Sequence, residues 1–150
     1  MQRYHYSYHE FRRDLKTLTH KIDEEFDTLL PIARGGLSMG QLLGEYYAIR
    51  KVYAINTIGY DNTQKLKSVE VLNLPDLSDS HRILILDDII DSGDTIKAVL
   101  KRLQRLYPTK IFKVASIFYK PSASIEPNYW VREAKGWIDF FWTVDLREQV

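Results

Sequence analysis

A run of four aliphatic residues that passes directly into acidic ones is the strongest constraint on how this chain can fold. Residues 83–86 read ILIL, and Asp87 and Asp88 follow them. A continuous apolar run of this kind is typical of a strand that is covered on both faces, as in a parallel sheet. The pattern therefore predicts a buried strand that ends at Asp87 and Asp88.

Segments with strand and helix patterns alternate along the rest of the chain. A capping box at Ser7 and Glu10 predicts the start of a first helix, and Ser38 with Gln41 predicts the cap of a second helix over 41–50. Apolar spacing predicts a third helix over about 94–106. Further strands are expected at 26–33, 52–60, 68–74 and 110–120. This alternation predicts a single α/β domain over residues 1–150 with a mainly parallel sheet flanked by helices.

Composition limits the classes of partner that this protein can have. A formal net charge of +1 indicates neither a nucleic-acid partner nor binding to an acidic membrane surface. The first fourteen residues lack the apolar core of a signal peptide, and no apolar run is long enough to span a membrane. The chain has no cysteine, which fits a cytoplasmic protein without disulfide bonds.

The turn Asp91–Thr95, with the sequence DSGDT, has the chemistry of a phosphate site. It joins a buried strand to the start of a helix, where free backbone N–H groups and the helix dipole attract anions. Gly93 allows close approach of the backbone, and Ser92 and Thr95 carry hydroxyl donors. The spacing matches neither a Walker A loop nor a dinucleotide fingerprint.

Three carboxylates lie just before this turn or at its first residue. Asp87 and Asp88 cannot both face the core, and they suit Mg²⁺, ribose hydroxyls, or both. Asp91 begins the phosphate turn itself. The stretch 83–95 thus combines a phosphate cradle with carboxylates for a sugar diol, which together predict a receptor for a ribose 5-phosphate.

The complete stretch ILILDDIIDSGDT resembles the phosphoribosyl pyrophosphate (PRPP) motif of type I phosphoribosyltransferases. Asp94 departs from the glycine that is most common at its position. The chain is most similar to the short bacterial xanthine-guanine enzymes, from ARGGL at 33–37 to WIDFFW at 137–142. The resemblance implies a twisted, mainly parallel sheet with a small C-terminal hood segment.

Two further segments resemble the pyrophosphate-binding segments of that family. Ala33-Arg34-Gly35-Gly36 resembles the pyrophosphate loop, which implies a cis peptide at Ala33-Arg34, an Arg34 contact to pyrophosphate and a Gly35 backbone N–H contact. Residues 60–67 resemble the loop that closes over PRPP, although the loop is shorter here. Lys65, or failing that Lys67, is then the basic residue expected to reach pyrophosphate.

The resemblance also assigns a base-binding end. Lys120, in FYKP, matches the lysine that contacts the purine 6-oxygen, so the pattern favours 6-oxopurines over adenine. Trp137 matches the aromatic residue that stacks on the purine. Ile138 matches the residue whose backbone carbonyl accepts a hydrogen bond from the purine N1 or 2-amino group. Guanine, xanthine and hypoxanthine remain open alternatives.

The implied reaction is transfer of the phosphoribosyl group from PRPP to a purine base, with Mg²⁺ as cofactor. In that role Asp88 and Asp87 serve the metal and ribose, and Asp91 exchanges a proton with purine N7. The segment of Ser92, Gly93, Asp94 and Thr95 holds the 5-phosphate. Two alternatives stay open, namely a PRPP- or nucleotide-sensing regulator on the same fold and a transferase for another base. A homodimer or homotetramer is expected.

Overall fold

The computed structural model describes residues 2–61 and 67–147. Within them the strands are β1 (Arg3–Tyr6), β2 (Thr28–Ala33), β3 (Ile55–Asp61), β4 (Lys67–Leu72), β5 (Arg82–Ile90), β6 (Ile111–Tyr119), β7 (Arg132–Glu133) and β8 (Trp137–Phe140). The helices are α1 (Tyr8–Lys21), α2 (Leu37–Tyr47), α3 (Asp94–Leu106) and α4 (Phe141–Val144), followed by a 3₁₀ turn at Asp145–Arg147.

Six strands form the central sheet in the order β4-β3-β2-β5-β6-β7. All neighbours are parallel except β3 and β4, which pair antiparallel. The carboxyl ends of β2, β5 and β6 therefore meet at one edge, which is where ligands bind in open α/β sheets. This architecture confirms the α/β fold and the mainly parallel sheet.

The sheet is covered on both faces, as the apolar run at 83–86 predicts. Leu84 and Leu86 belong to a buried cluster with side chains of α1 and α2, whereas Ile83 and Ile85 pack with side chains of α3. All four side chains are 0% exposed. Alternate residues of β5 thus anchor helices on opposite faces, because successive side chains of a strand point to opposite sides.

The predicted ends of some elements are wrong. β5 does not end at Asp88 but continues to Ile90, since pairing with β6 persists through Ile90 and Tyr119. The segment predicted as a strand over 52–60 becomes one only at Ile55. Local sequence did not reveal either boundary, because the neighbouring strand sets how far the pairing extends.

The two long N-terminal helices differ in how well their starts were predicted. The capping box is present at Ser7, whose side chain accepts from the Glu10 backbone N–H. In contrast, α2 begins at Leu37 with Gly36 as its N-cap, so the predicted cap at Ser38 is wrong. A Cβ at position 36 would lie 2.4 Å from the Leu86 carbonyl oxygen, and this tight fit against β5 accounts for glycine at the cap.

The hood is built from both ends of the chain and not from the C-terminal segment alone. β1 pairs in parallel with β8 in a separate two-stranded sheet, with Arg3 opposite Trp137. Tyr6 is fully buried at the end of β1, and Phe140 packs edge-to-face against it. Trp142 stacks on Phe140 with ring centroids 4.7 Å apart.

None of the helices in residues 2–61 and 67–147 is long and apolar enough to cross a membrane.

Candidate functional site

The turn after β5 forms a small concave site at the start of α3. Its N-cap, Gly93, has φ of 92° and offers the helix no side-chain cap. The Asp94 backbone N–H donates to Ser92 Oγ at 3.2 Å, and the N–H groups that follow it in the first turn have no intrahelical partner. A cavity of about 80 Å³ is lined by residues that include Asp87, Asp91, Ser92 and Thr95. Such a helix start with a left-handed glycine suits a phosphate group.

A second segment, which the sequence did not single out, supports this turn from behind. The Ser124 backbone N–H and hydroxyl both donate to the Ser92 carbonyl oxygen, at 2.9 and 3.0 Å. A Cβ at position 93 would lie 2.8 Å from the Ser124 Oγ atom. The loop after Lys120 therefore braces the turn predicted to bind phosphate.

Two carboxylates lie side by side just before the turn. Asp87 and Asp88 are half-buried, and the Asp88 backbone N–H donates to Asp87 Oδ1 at 2.9 Å. Burial and then the neighbouring Asp88 charge raise the pKa of Asp87 well above its usual range. Burial also raises the pKa of Asp88. The pair is thus costly to ionise fully without a nearby cation.

The loop after β2 closes against the same carboxylates. A Cβ at Gly35 would lie 2.4 Å from the Asp88 carboxylate carbon, so any side chain there would displace that carboxylate. The Ala33-Arg34 peptide is cis, as the family resemblance predicted. Arg34 is exposed and forms no ion pair with another described residue.

Two side chains at this edge of the sheet carry oxygen donors of the kind that coordinate Mg²⁺. Asp87 and Asp88 supply carboxylate oxygens, the ligand type that Mg²⁺ prefers. Within the described residues no group of three or more acidic or histidine side chains could hold a metal. Mg²⁺ commonly uses one or two carboxylates together with substrate phosphates, so the residues fit a metal that arrives with its substrate.

The end of β6 brings the predicted base-binding lysine to the phosphate turn. The Lys120 backbone N–H donates to the Ile90 carbonyl oxygen at 3.0 Å. Its Nζ atom lies 2.8 Å from Asp91 Oδ1, and both side chains are accessible to solvent. Two side chains that are 29 positions apart (120 minus 91) thus present an ammonium group and a carboxylate side by side.

Trp137 lies in the hood and is 53% exposed, so packing in the core does not explain it. Ala134, three positions earlier, donates its backbone N–H to the Tyr119 carbonyl oxygen at 2.9 Å, next to Lys120. The segment that leads into β8 of the hood therefore lies beside Lys120. The Ile138 side chain is half-buried and packs against the core cluster.

The predicted closing loop is the one part of the site that the structure does not describe. Lys65 falls outside residues 2–61 and 67–147, as does the rest of 62–66. Asp61 and Lys67, predicted as loop residues, lie instead at the facing ends of β3 and β4. The choice between Lys65 and Lys67 stays a prediction.

Comparison with known proteins agrees with this geometry. The family model described as "Phosphoribosyl transferase domain" matches residues 6–149. The chain belongs to the phosphoribosyltransferase family. The family match confirms the resemblance drawn from the motifs, and it covers all of the candidate site residues.

Individual phosphoribosyltransferases are similar over nearly the whole chain. The structure of Helicobacter pylori xanthine-guanine-hypoxanthine phosphoribosyltransferase has a TM-score of 0.89 and 37% identity, and the match covers 97% of each chain. The purine phosphoribosyltransferase of Pyrococcus horikoshii has a TM-score of 0.82 and 27% identity over 95% of this chain and 94% of that one. The curated xanthine-guanine phosphoribosyltransferase of Cereibacter sphaeroides is 30% identical over 96% of this chain and 89% of its own length.

Proposed function

We propose that this phosphoribosyltransferase transfers the 5-phosphoribosyl group from PRPP to a 6-oxopurine in purine salvage, giving the nucleoside monophosphate and pyrophosphate. Family membership supports the transfer chemistry, and the names of the similar proteins in Helicobacter and Cereibacter support a 6-oxopurine. The specific observation that carries the base assignment is the 2.8 Å pair of Lys120 and Asp91.

The Lys120–Asp91 pair is complementary to one edge of a 6-oxopurine. The ammonium group donates to an acceptor such as the 6-oxygen, and the carboxylate accepts from a protonated N7 beside it. Adenine carries an amino donor in place of the 6-oxygen, so it would face the ammonium group with a donor. The pair therefore favours guanine, xanthine or hypoxanthine, and Trp137 would stack on the same base.

The phosphate and ribose groups of PRPP have matching sites along the edge of the sheet. The 5-phosphate would bind the uncapped start of α3, with donors from the Ser92–Thr95 segment. The ribose hydroxyls would lie over Asp87 and Asp88, and Arg34 with the Gly35 N–H would contact the pyrophosphate. The tight approach of Gly35 to Asp88 supports a shared ribose and pyrophosphate site.

The reaction that follows from this arrangement is a displacement at C1 of the ribose. The purine nitrogen forms a bond to C1 as the bond from C1 to the pyrophosphate oxygen breaks, through a transition state with oxocarbenium character. Asp91 accepts the proton that the purine releases, and its charge favours the developing cation. Arg34 stabilises the negative charge that accumulates on the departing pyrophosphate.

Mg²⁺ is proposed as the cofactor, held by Asp88 with Asp87 assisting through the ribose hydroxyls or water. When bound, it would supply positive charge to the pyrophosphate leaving group. The raised pKa values of the two carboxylates support this role, because a cation removes the cost of ionising both. A homodimer or homotetramer and a cytoplasmic location also stay predictions.

An activity panel tests the proposal directly. The protein would be assayed with PRPP and Mg²⁺, or EDTA, and with each of guanine, xanthine, hypoxanthine, adenine and uracil, with nucleotide and pyrophosphate both measured. We expect both products from at least one 6-oxopurine and none with EDTA. Turnover of adenine or uracil alone would refute the base assignment, and binding of PRPP without turnover would indicate a regulator.

A further inference from the structure

Trp137 is held from one side by residues that no local motif connects with the base. Arg3 places its guanidinium carbon 5.7 Å from the centroid of the indole ring. The Trp137 Nε1 atom donates to Asp139 Oδ1 at 3.0 Å. A cation over an indole face is attracted by the electron density of the ring.

The guanidinium and the carboxylate also hold each other. Arg3 Nε donates to Asp139 Oδ2 at 3.0 Å, and its Nη2 donates to Oδ1 at 2.6 Å. These bonds to Arg3 lower the pKa of Asp139, so the carboxylate stays ionised as the acceptor for Trp137. Arginine suits this position because its planar fork engages both oxygens at once while its face stacks on an aromatic ring.

The backbone sets the position of Arg3. The Trp137 backbone N–H donates to the Gln2 carbonyl oxygen at 3.0 Å, and the parallel register places Arg3 opposite Trp137. At the other end of β1, Tyr6 is fully buried and donates to Asp14 at 2.6 Å. Arg3 is therefore presented on an anchored strand, although its own side chain is 64% exposed.

From this arrangement we infer that Arg3, through Asp139, is a positioning residue for base binding, because it orients the Trp137 indole and covers one of its faces. The other face stays open to stack on the base. Trp137 is 53% exposed as a residue, which is consistent with an accessible ring face opposite Arg3. This inference rests on the proposed function, since it assumes that Trp137 contacts the base.

The effect of losing Arg3 is expected on base affinity and not on the chemical step. Without the clamp, the indole must be ordered when the base binds, and ordering one side chain weakens binding. We expect Arg3→Ala to raise the KM for the base about fivefold, equivalent to about 1 kcal/mol at 1.4 kcal/mol per factor of ten. The kcat and the KM for PRPP should stay within twofold of wild type.

Two companion variants make the assay specific. Arg3→Lys keeps a cation on the same strand but loses the fork, so it should restore part of the base affinity. Arg12→Ala, which removes an exposed arginine of α1, is the matched control and should behave as wild type. A general loss of folding in Arg3→Ala would instead lower the apparent kcat and leave both KM values unchanged, because KM does not depend on the fraction of folded enzyme.

A measurement without substrates separates this inference from the proposed function. Acrylamide quenching of Trp137, taken as the difference between each protein and its Trp137→Phe counterpart, should increase in Arg3→Ala and not in Arg12→Ala. Wild-type protein that turns over no base refutes the proposed function. Active wild type with an unchanged base KM and unchanged quenching in Arg3→Ala refutes the positioning role, as does a parallel change in every kinetic constant.

Discussion

Replacing Asp87 by asparagine should stabilise the free protein while removing its activity. The asparagine keeps the Oδ1 atom that accepts from the Asp88 backbone N–H, so the local hydrogen bond persists. The substitution removes the half-buried charge of Asp87, which lies beside that of Asp88. Two like charges about 5 Å apart repel by about 3 kcal/mol at an effective dielectric constant of about 20.

The full repulsion is not expected, because the pair avoids part of it by retaining a proton, as the raised pKa of Asp87 indicates. We therefore expect a gain of about 1–2 kcal/mol in the free energy of unfolding at neutral pH. For a protein of this size that corresponds to a Tm increase of about 2–8 °C. The kcat/KM for PRPP should fall steeply, since we propose that the same carboxylate serves the ribose and metal.

The sign of the pH dependence follows from proton binding. Because the pKa of Asp87 is raised, the folded wild type binds a proton there more tightly than the unfolded chain does, so its stability decreases as pH rises above the ordinary pKa of 3.8. Asparagine lacks this proton. The stability difference between the two proteins should therefore be near zero at the acidic end of this window and grow towards neutral pH.

Thermal unfolding from pH 4 to pH 8 in EDTA measures this difference. Asp79→Asn is the control, because Asp79 is an exposed carboxylate in a turn and its replacement should change Tm by little. A pH-independent difference between Asp87→Asn and wild type, or a lower Tm for the variant at pH 8, would show that repulsion between Asp87 and Asp88 does not govern this site.

Three other substitutions test separate parts of the site. Gly35→Ala should lower kcat/KM for PRPP about a hundredfold, because its Cβ would lie 2.4 Å from the Asp88 carboxylate carbon, whereas Gly59→Ala, whose Cβ would meet no atom within 4 Å, should be neutral in the same assay. Asp91→Asn should lower kcat about ten- to ten-thousandfold with little change in the KM for PRPP, and an unchanged kcat would remove Asp91 from the proton transfer. Lys120→Ala should raise the KM for guanine, xanthine and hypoxanthine alike, and an effect on one base alone would contradict a shared contact to the 6-oxygen.

Local sequence patterns were sufficient to predict much of the fold. The apolar run at 83–86 predicted a strand buried on both faces, and the apolar spacing over 94–106 predicted α3, in which Ile96, Val99 and Leu103 are buried and Leu100 is half-buried. These predictions succeeded because a strand repeats every two residues and a helix every 3.6, so the local sequence carries the pattern of burial.

The base-binding side depended on contacts between distant parts of the chain. Arg3 and Asp139 are separated by 136 positions, and no local pattern predicted that residues 3–6 would complete the hood. Ser124 likewise follows the motif lysine without a signal of its own, yet it bonds to Ser92. Such contacts form only when the strands pair in the folded protein.

The sequence by itself was sufficient to predict the α/β fold and a ribose 5-phosphate site, because the strand, turn and helix of residues 83–106 are contiguous. The tertiary structure alone brought Lys120 to 2.8 Å from Asp91 and placed Arg3 over Trp137. The physical reason is that parallel pairing aligns the ends of strands that are far apart in sequence, so that proximity depends on the register of the sheet and not on any local preference.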